Sequence, residues 1–273
     1  MISHRFSAFF IHAFAWTVIT IGLVVSSNTL YIVLLAPIIL IDMWFALCLG
    51  FMLRLPTIRE DVEAPIGWEW DSIDVHGYPV RWLRKDWYPN KPLAILIHGW
   101  NSRASNMLGR SALFQELGYN CVLFEMRAHG GNERVPHWAA MHVCNDLERV
   151  LNHFAQRGWL QNGFIVHGHS LGGFVAQRVL RAELETSKKA QGVILESPVT
   201  SYEYINNQTC DYLRIPKKLQ RPMMRRLLRY YNRLNPPQFQ VPSIAFLRSP
   251  EWGLPQCPTC LLYTSDAADD LIG

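Results

Sequence analysis

Histidine is absent from the whole C-terminal part of the sequence, because the last of the ten histidines in the 273 residues is His169. The six cysteines follow no regular spacing, and the chain has neither an internal repeat nor a low-complexity linker. These absences exclude a disulfide-rich scaffold and a repeat protein, and we expect the cysteines to be reduced thiols. The cysteines are Cys48, Cys121, Cys144, Cys210, Cys257 and Cys260.

Charged residues are missing from the N-terminal region, since Phe6–Ile41 contains no Asp, Glu, Lys or Arg. Two apolar runs, Phe6–Val25 and Leu30–Leu53, are each long enough to cross a bilayer as a helix. The second run contains one proline and one acidic residue, Asp42. We therefore predict a transmembrane helical hairpin over residues 1–55.

Basic residues flank this predicted hairpin at both ends, with Arg5 before it and Arg54 and Arg59 after it. Because basic residues stay on the cytoplasmic side, both ends and the rest of the chain should face the cytoplasm at the inner or plasma membrane. The turn at Ser26–Thr29 should then lie outside. Two alternatives stay open: a signal peptide cleaved close to this turn, and a single span followed by a re-entrant segment, which would keep Asp42 away from mid-bilayer.

From Trp68 onward the pattern is that of a soluble domain, which we place at residues 60–259. Two alternating segments joined around His76 and Gly77 predict a β-hairpin. Continuous apolar strands then alternate with helices, which predicts an α/β fold with a mostly parallel sheet and helices on both faces. The later predicted strands are Leu93–Gly99, Tyr119–Arg127, Phe164–His167 and Gly192–Leu195, and the predicted helices are Ser102–Leu117, Trp138–Arg157 and Leu171–Glu185.

The heptapeptide HGHSLGG contains the spacing G-x-S-x-G around Ser170. It follows a predicted strand and begins a predicted helix, which is the context in which this motif presents a nucleophilic serine. Gly168 and Gly172 would let strand and helix approach, and the helix N-terminus would favour negative charge developing beside the serine. The alternative is that Ser170 is only a helix N-cap.

Two further loops end earlier predicted strands: His98-Gly99-Trp100, and residues 127–132. The backbone N–H groups of Trp100 and Leu171 are our candidates for an oxyanion hole, which would stabilise a tetrahedral intermediate of acyl transfer. We expect His98 and His129 to brace their loops through hydrogen bonds.

Together these loops resemble the α/β-hydrolase superfamily over roughly Trp68–Pro198. LIHGWNSR resembles its oxyanion loop, HGHSLGG its nucleophile elbow, and MRAHGGNE its R-G-H-G loop, with Ala128 where glycine is usual. The resemblance implies a serine hydrolase of the esterase or lipase type, acting on an ester, thioester or related acyl bond of a small-molecule substrate. It implies no metal and no cofactor. It implies Ser170 as the nucleophile, with Trp100 and Leu171 at the oxyanion and His98, Gly99, Gly168 and Gly172 supporting the motifs.

In this superfamily the chain order is Ser, then Asp or Glu, then His. The sequence as it stands has no histidine after Ser170, so the usual base is missing. We therefore expect a fold that is incomplete at the C-terminus and a chain that is inactive by itself. Glu196, at the end of the strand after the elbow, is a fallback acid. Its alternative role is to pair with a backbone group or an arginine.

The C-terminal residues 260–273 resemble translated sequencing adapter, over the ten residues CLLYTSDAAD. We therefore expect the gene-derived part of this sequence to be interrupted near Thr259, in the middle of the domain, and we exclude this tail from fold reasoning. The spacing Cys257-x-x-Cys260 then carries no metal or redox interpretation. If the tail is genuine, the acid candidates are Asp266, Asp269 and Asp270.

The segment Arg214–Arg233 holds eight of the 26 basic residues and no acidic residue, so the rest of the chain is net acidic. It belongs to an insert, residues 201–240, at a position where the superfamily often carries a cap over the active site. We expect segment 214–233 either to contact anionic membrane lipid, as residues 6–53 contact the bilayer core, or to be a solvated cap helix. No nucleic-acid-binding module is recognised.

The sequence therefore predicts a membrane-anchored serine hydrolase that lacks part of its catalytic machinery. The alternative is a non-enzymatic binding module with the hydrolase fold, tethered to the membrane.

Overall fold

A computed structural model describes residues 6–27, 29–57, 60–180, 185–248 and 255–263. Several residues on which expectations rest lie outside these ranges. They are Arg5, Arg59 and the tail aspartates Asp266, Asp269 and Asp270. The chain divides into two compact units. The first contains Met1–Leu55, Val135–His137 and Asn206–Ile244, and the second contains Pro56–Arg134, Trp138–Ile205 and Ala245–Gly273.

The second unit is built on a sheet with the order β1-β2-β4-β3-β5-β6-β7 among the described residues. β1 and β2 form the antiparallel hairpin that the sequence predicts, and the strands from β4 to β7 pair in parallel. The mostly parallel sheet is therefore confirmed. The strands are β1 Trp68–Asp74, β2 Pro79–Lys85, β3 Leu93–Ile97, β4 Asn120–Phe124, β5 Phe164–His169, β6 Ala190–Glu196 and β7 Thr259–Leu262.

Helices cover both faces of this sheet, as predicted. Successive residues of a strand point to opposite faces. Trp82 of β2 packs edge-to-face on Phe154 of helix α4, whereas the next residue, Leu83, lies in a buried cluster with Phe114 of helix α3. Because β3 and β4 are completely buried, their continuous apolar runs fit a sheet covered on both sides. The helices of this unit are α3 Leu108–Glu116, α4 Ala140–Gln156 and α5 Leu171–Leu180.

Several predicted boundaries are wrong, among them the strand ends expected at Gly99 and Arg127, which fall at Ile97 and Phe124. Tertiary contacts explain two further differences. The helix expected from Ser102 begins only at Leu108, after a 3₁₀ turn, because Arg103 is extended and the Ala104 N–H donates to the Glu125 carboxylate. Strand β5 continues to His169 because parallel pairing with β6 extends along it to Glu196. The helix expected to reach Glu185 is described as far as Leu180, and residues 181–184 lie outside the described ranges.

The first unit contains two long apolar helices, α1 Ser7–Val25 and α2 Thr29–Met52, both long and apolar enough to cross a membrane. Pro37 lies inside α2 without ending it. Asp42 of α2 contacts α1, where it is 2.6 Å from His12 Nδ1 and accepts a hydrogen bond of 2.8 Å from Trp16 Nε1. The carboxylate therefore has polar partners on the neighbouring helix.

The same unit contains helix α7 Lys217–Leu234, and α6 Tyr202–Tyr212 ends in it. Met223 of α7 and Cys210 of α6 share a buried cluster with Phe45 and Cys48 of α2. Arg226 of α7 donates to Asp42 Oδ1 at 2.8 Å. Apolar packing and one ion pair thus join α7 to the apolar hairpin.

Candidate active site

Ser170 lies at the junction between β5 and α5, with a φ of +50°. A left-handed backbone is costly for a residue with a side chain, and such strain is typical of functional turns. Backbone hydrogen bonds hold the turn: the Ser170 N–H donates to Glu196 O at 2.9 Å, and the Val199 N–H donates to Ser170 O at 3.0 Å. The side chain remains partly exposed. The local geometry is the strand–turn–helix context that the sequence predicts.

The glycines around Ser170 are required by close backbone approach. A Cβ on Gly168 would lie 2.5 Å from the Gly172 carbonyl oxygen. A Cβ on Gly172 would lie closer than 3.0 Å to the carbonyl oxygen of Ile97, at the end of β3. Gly173 is equally crowded, by the ring of Pro198. Any larger residue would push β5, α5 and β3 apart.

Gly99 places the loop after β3 directly beside the elbow. A Cβ on Gly99 would lie 3.3 Å from the Ser170 Cβ and 3.0 Å from His169 Nδ1. Trp100 follows, and its indole packs on Trp138, with ring centroids 4.7 Å apart. Leu171 begins α5, and the first N–H groups of a helix have no acceptor within it. Both candidate oxyanion donors therefore belong to segments that meet at Ser170.

His98 braces its loop, as expected for this position. The ring is buried, its Nδ1 is 2.8 Å from the Gly99 carbonyl oxygen, and its Nε2 accepts the Met126 N–H at 3.1 Å. Glu125 Oε1 lies 3.0 Å from the same Nε2. The sequence pattern predicts no role for Glu125, although an acidic residue directly after the apolar run of β4 is a usable signal.

His129 also holds its loop, through a contact of 3.0 Å between Nδ1 and the Arg127 carbonyl oxygen. Burial is the main cause that lowers its pKa to about 3, so the imidazole stays neutral. Ala128 has a φ of +61°, a conformation that explains why glycine is usual there. The Ala128 N–H donates to the Tyr78 hydroxyl at 2.8 Å, which fixes this strained loop.

Glu196 has an arginine partner, which is the alternative that the sequence left open. Its carboxylate accepts two hydrogen bonds from Arg110 of α3, one from Nε at 2.6 Å and one from Nη2. These bonds lower the pKa of Glu196, and the same pairing raises the pKa of Arg110. His167 Nε2 lies 3.1 Å from Glu196 Oε2, the same oxygen that accepts the hydrogen bond from Arg110 Nε. Burial holds the pKa of His167 at about 4.

Within the described ranges, no histidine hydrogen-bonds the Ser170 hydroxyl. The hydrogen bonds found for Ser170 there are those of its backbone. The site therefore brings together a strained serine, two candidate amide donors and a braced loop after β3. The arrangement suits nucleophilic attack on an acyl carbon once a base is supplied.

Comparison with protein families agrees with this architecture. Residues 94–271 match the alpha/beta hydrolase family, which is more than half of the chain. The chain therefore belongs to the α/β-hydrolase family, and the fold predicted from its loops is confirmed.

Individual relatives share less of the sequence. The chain is 28% identical over 190 residues to a candidate esterase, YitV, of Bacillus subtilis (strain 168), covering 63% of this chain and 73% of that protein. It is 28% identical over 114 residues to protein phosphatase methylesterase 1 of Debaryomyces hansenii, covering 39% of this chain and only 29% of that protein. The esterase Pf2001 of Pyrococcus furiosus has the same fold, with a TM-score of 0.51, 16% identity and coverage of 80% of this chain and 81% of that one.

Proposed function

We propose that the parent protein is a membrane-anchored serine hydrolase in which Ser170 attacks the carbonyl carbon of an ester, thioester or related acyl bond. The observation that carries this proposal is the left-handed Ser170 between β5 and α5. The two relatives matched by sequence are described as an esterase and a methylesterase, which supports acyl-ester chemistry. The family membership supports hydrolysis in general.

In this proposal the N–H groups of Trp100 and Leu171 donate to the oxygen that becomes negative in the tetrahedral intermediate. Gly99 contributes by letting the loop after β3 approach the serine closely. His98 and Glu125 act through the loop that they hold and do not touch the substrate. The Ser170 Oγ–H bond breaks as the new C–O bond forms, so a base must accept that proton.

The described residues offer no such base, and the sequence has no histidine after His169. His129 and His167 are poor substitutes because burial keeps their pKa values near 3 and 4. We therefore propose that this chain by itself has very low activity, as expected when triad members are absent.

Membrane anchoring is the second half of the proposal. Helices α1 and α2 are both long and apolar enough to cross a membrane, and most of their large apolar side chains are exposed. Lipid would cover these side chains more favourably than water. The hydrolase unit would then work on the cytoplasmic side, as the flanking basic residues predict.

A fluorophosphonate probe, which labels activated serines, tests the catalytic half. We expect labelling of the protein from the complete reading frame, loss of labelling in Ser170→Ala, and retention in the matched variant Ser105→Ala. This chain as printed should label far more slowly. A complete reading frame with a late histidine whose product leaves Ser170 unlabelled would contradict nucleophilic catalysis.

The second candidate is a non-enzymatic binding module, which the missing histidine favours. Sequencing the source DNA beyond the codon for Thr259 separates the two candidates. A reading frame that continues into an acid and a histidine supports the enzyme. A natural stop codon soon after Thr259 supports the module.

A further inference from the structure

Helix α7 separates buried apolar residues from a row of basic ones. Lys217, Arg221, Arg225, Arg229 and Arg233 are all exposed and recur every four residues. Residues four apart are neighbours on a helix surface, so these five cations form one continuous row that is about 24 Å long and winds about 160° around the helix. The buried side chains of α7 are Gln220, Met223, Met224 and Leu227.

Most of this row lacks an acidic partner. Lys217 pairs with Asp211 at 2.7 Å. For the four arginines of the row, the described part of the chain contains no ion pair with a carboxylate. Arg226, in contrast, faces inward and is neutralised by Asp42. Four like charges are therefore held side by side with no internal counter-ion.

The packing of α7 fixes where this row lies along the hairpin. Met224 and Leu227 form a buried cluster with Ala8 and Leu49, and Met52 packs against the same cluster. Ala8 is the second residue of α1, and Leu49 lies three residues before the end of α2. Helix α7 therefore lies against α2 from Asp42 to Met52, in the half of the hairpin where the chain enters and leaves the two apolar helices.

We propose that the α7 row binds the phosphate groups of anionic membrane lipids, an inference that rests on the proposed membrane anchoring. The end of a transmembrane hairpin lies at the depth of lipid headgroups. The hairpin already covers the apolar side of α7, so the helix contacts lipid through its cations and does not insert an apolar face. Each arginine near an anionic surface should contribute about fivefold in affinity.

The position of the row favours lipid over a soluble polyanion. A nucleic acid would need a charged surface facing bulk solvent together with a recognition module, and the sequence shows no such module. Free phosphate would be held by a single pocket, whereas the row extends over four helical turns. A continuous row of cations in the half of the hairpin nearest the headgroups suits several lipid phosphates at once.

Native mass spectrometry of the full chain tests this proposal. The protein, carrying Ser170→Ala so that lipid is not consumed, is purified in mixed micelles of phosphatidylglycerol and phosphatidylcholine, and retained lipids are counted. We expect preferential retention of phosphatidylglycerol, a loss of at least tenfold in R225Q/R229Q, and a strong decrease at high salt. The matched control K188Q/K189Q removes the same charge from two exposed lysines of the other unit and should change nothing.

Several outcomes would overturn the proposal. These are equal retention of the two lipids, equal losses in both double variants, and displacement of bound lipid by soluble glycerol phosphate or by RNA. If R225Q/R229Q fails to fold, the lipid preference and salt dependence of the parent chain decide by themselves. Lipid counting needs no hydrolysis, and hairpin insertion is measured separately by carbonate extraction, so failure of this proposal is distinguishable from failure of the proposed function.

Discussion

At the scale of single residues, the candidate active site depends on glycines that leave no room for a side chain. Gly172 lies against a backbone carbonyl of β3, which cannot move without disturbing the sheet. Gly109, in helix α3, has no atom within 4 Å of the position where its Cβ would be. The two glycines therefore form a matched pair of crowded and open sites.

We expect Gly172→Ala to destabilise the protein by about 1 to 3 kcal/mol, because the new methyl group forces α5 away from β3. It should also abolish fluorophosphonate labelling of the complete protein. Gly109→Ala should stabilise by about 0.5 to 1 kcal/mol, because alanine favours an open helix position. Thermal unfolding of both variants in detergent checks this, and similar melting temperatures for the two would refute the crowding argument.

The motif around Ser170 was predictable, since G-x-S-x-G after an apolar run specifies a turn that few other sequences adopt. The partners of Glu196 and Asp42 were not predictable. Arg110 is 86 residues from Glu196 in the chain, and Arg226 is 184 from Asp42. No local pattern encodes such pairings.

At the scale of secondary-structure elements, one ion pair and two apolar clusters join α7 to the hairpin. Arg226 donates to Asp42 at 2.8 Å and also lies 3.3 Å from both nitrogens of His12. Removing one partner would leave an unpaired charge in apolar surroundings, which lowers the free energy of unfolding more than removing both partners does. Cys210 reports on this packing because it is completely buried beside Phe45.

We expect Asp42→Asn or Arg226→Gln to speed maleimide labelling of Cys210 about tenfold, equivalent to about 1.4 kcal/mol of local stability. The double variant should label no faster than either single variant. Arg225→Gln, which changes an exposed neighbour, is the control and should leave the rate unchanged. Peptide mass spectrometry locates the label. If the two single changes increase the labelling rate of Cys210 additively in the double variant, the ion pair does not couple these helices.

At the scale of the whole molecule, the proposed membrane anchoring predicts on which side of the bilayer each part of the chain lies. The turn between α1 and α2 should lie on one side of the bilayer, and the hydrolase unit on the other. Ser27 in that turn and Cys260 in β7 are both exposed, so each can report on its own side.

In sealed cells that express the chain as printed, we expect a membrane-impermeant maleimide to label Ser27→Cys from outside, while Cys260 reacts only after the membrane is opened. A chain without the Ser27 change is the control for the outside signal. Labelling of Cys260 from outside would reverse the proposed orientation. Release of the protein by carbonate would exclude spanning helices altogether.

The sequence by itself determined the fold class, the order of strands and helices, the elbow around Ser170 and the two apolar helices. Each of these follows from patterns within about twenty neighbouring residues, where backbone geometry and hydrophobic periodicity act locally. Only the tertiary structure decided that Glu196 pairs with Arg110, that Glu125 lies against His98, and that the basic helix packs on the hairpin with its arginine row outward. Those contacts join residues far apart in the chain, and burial and ion pairing select them only after the elements have packed.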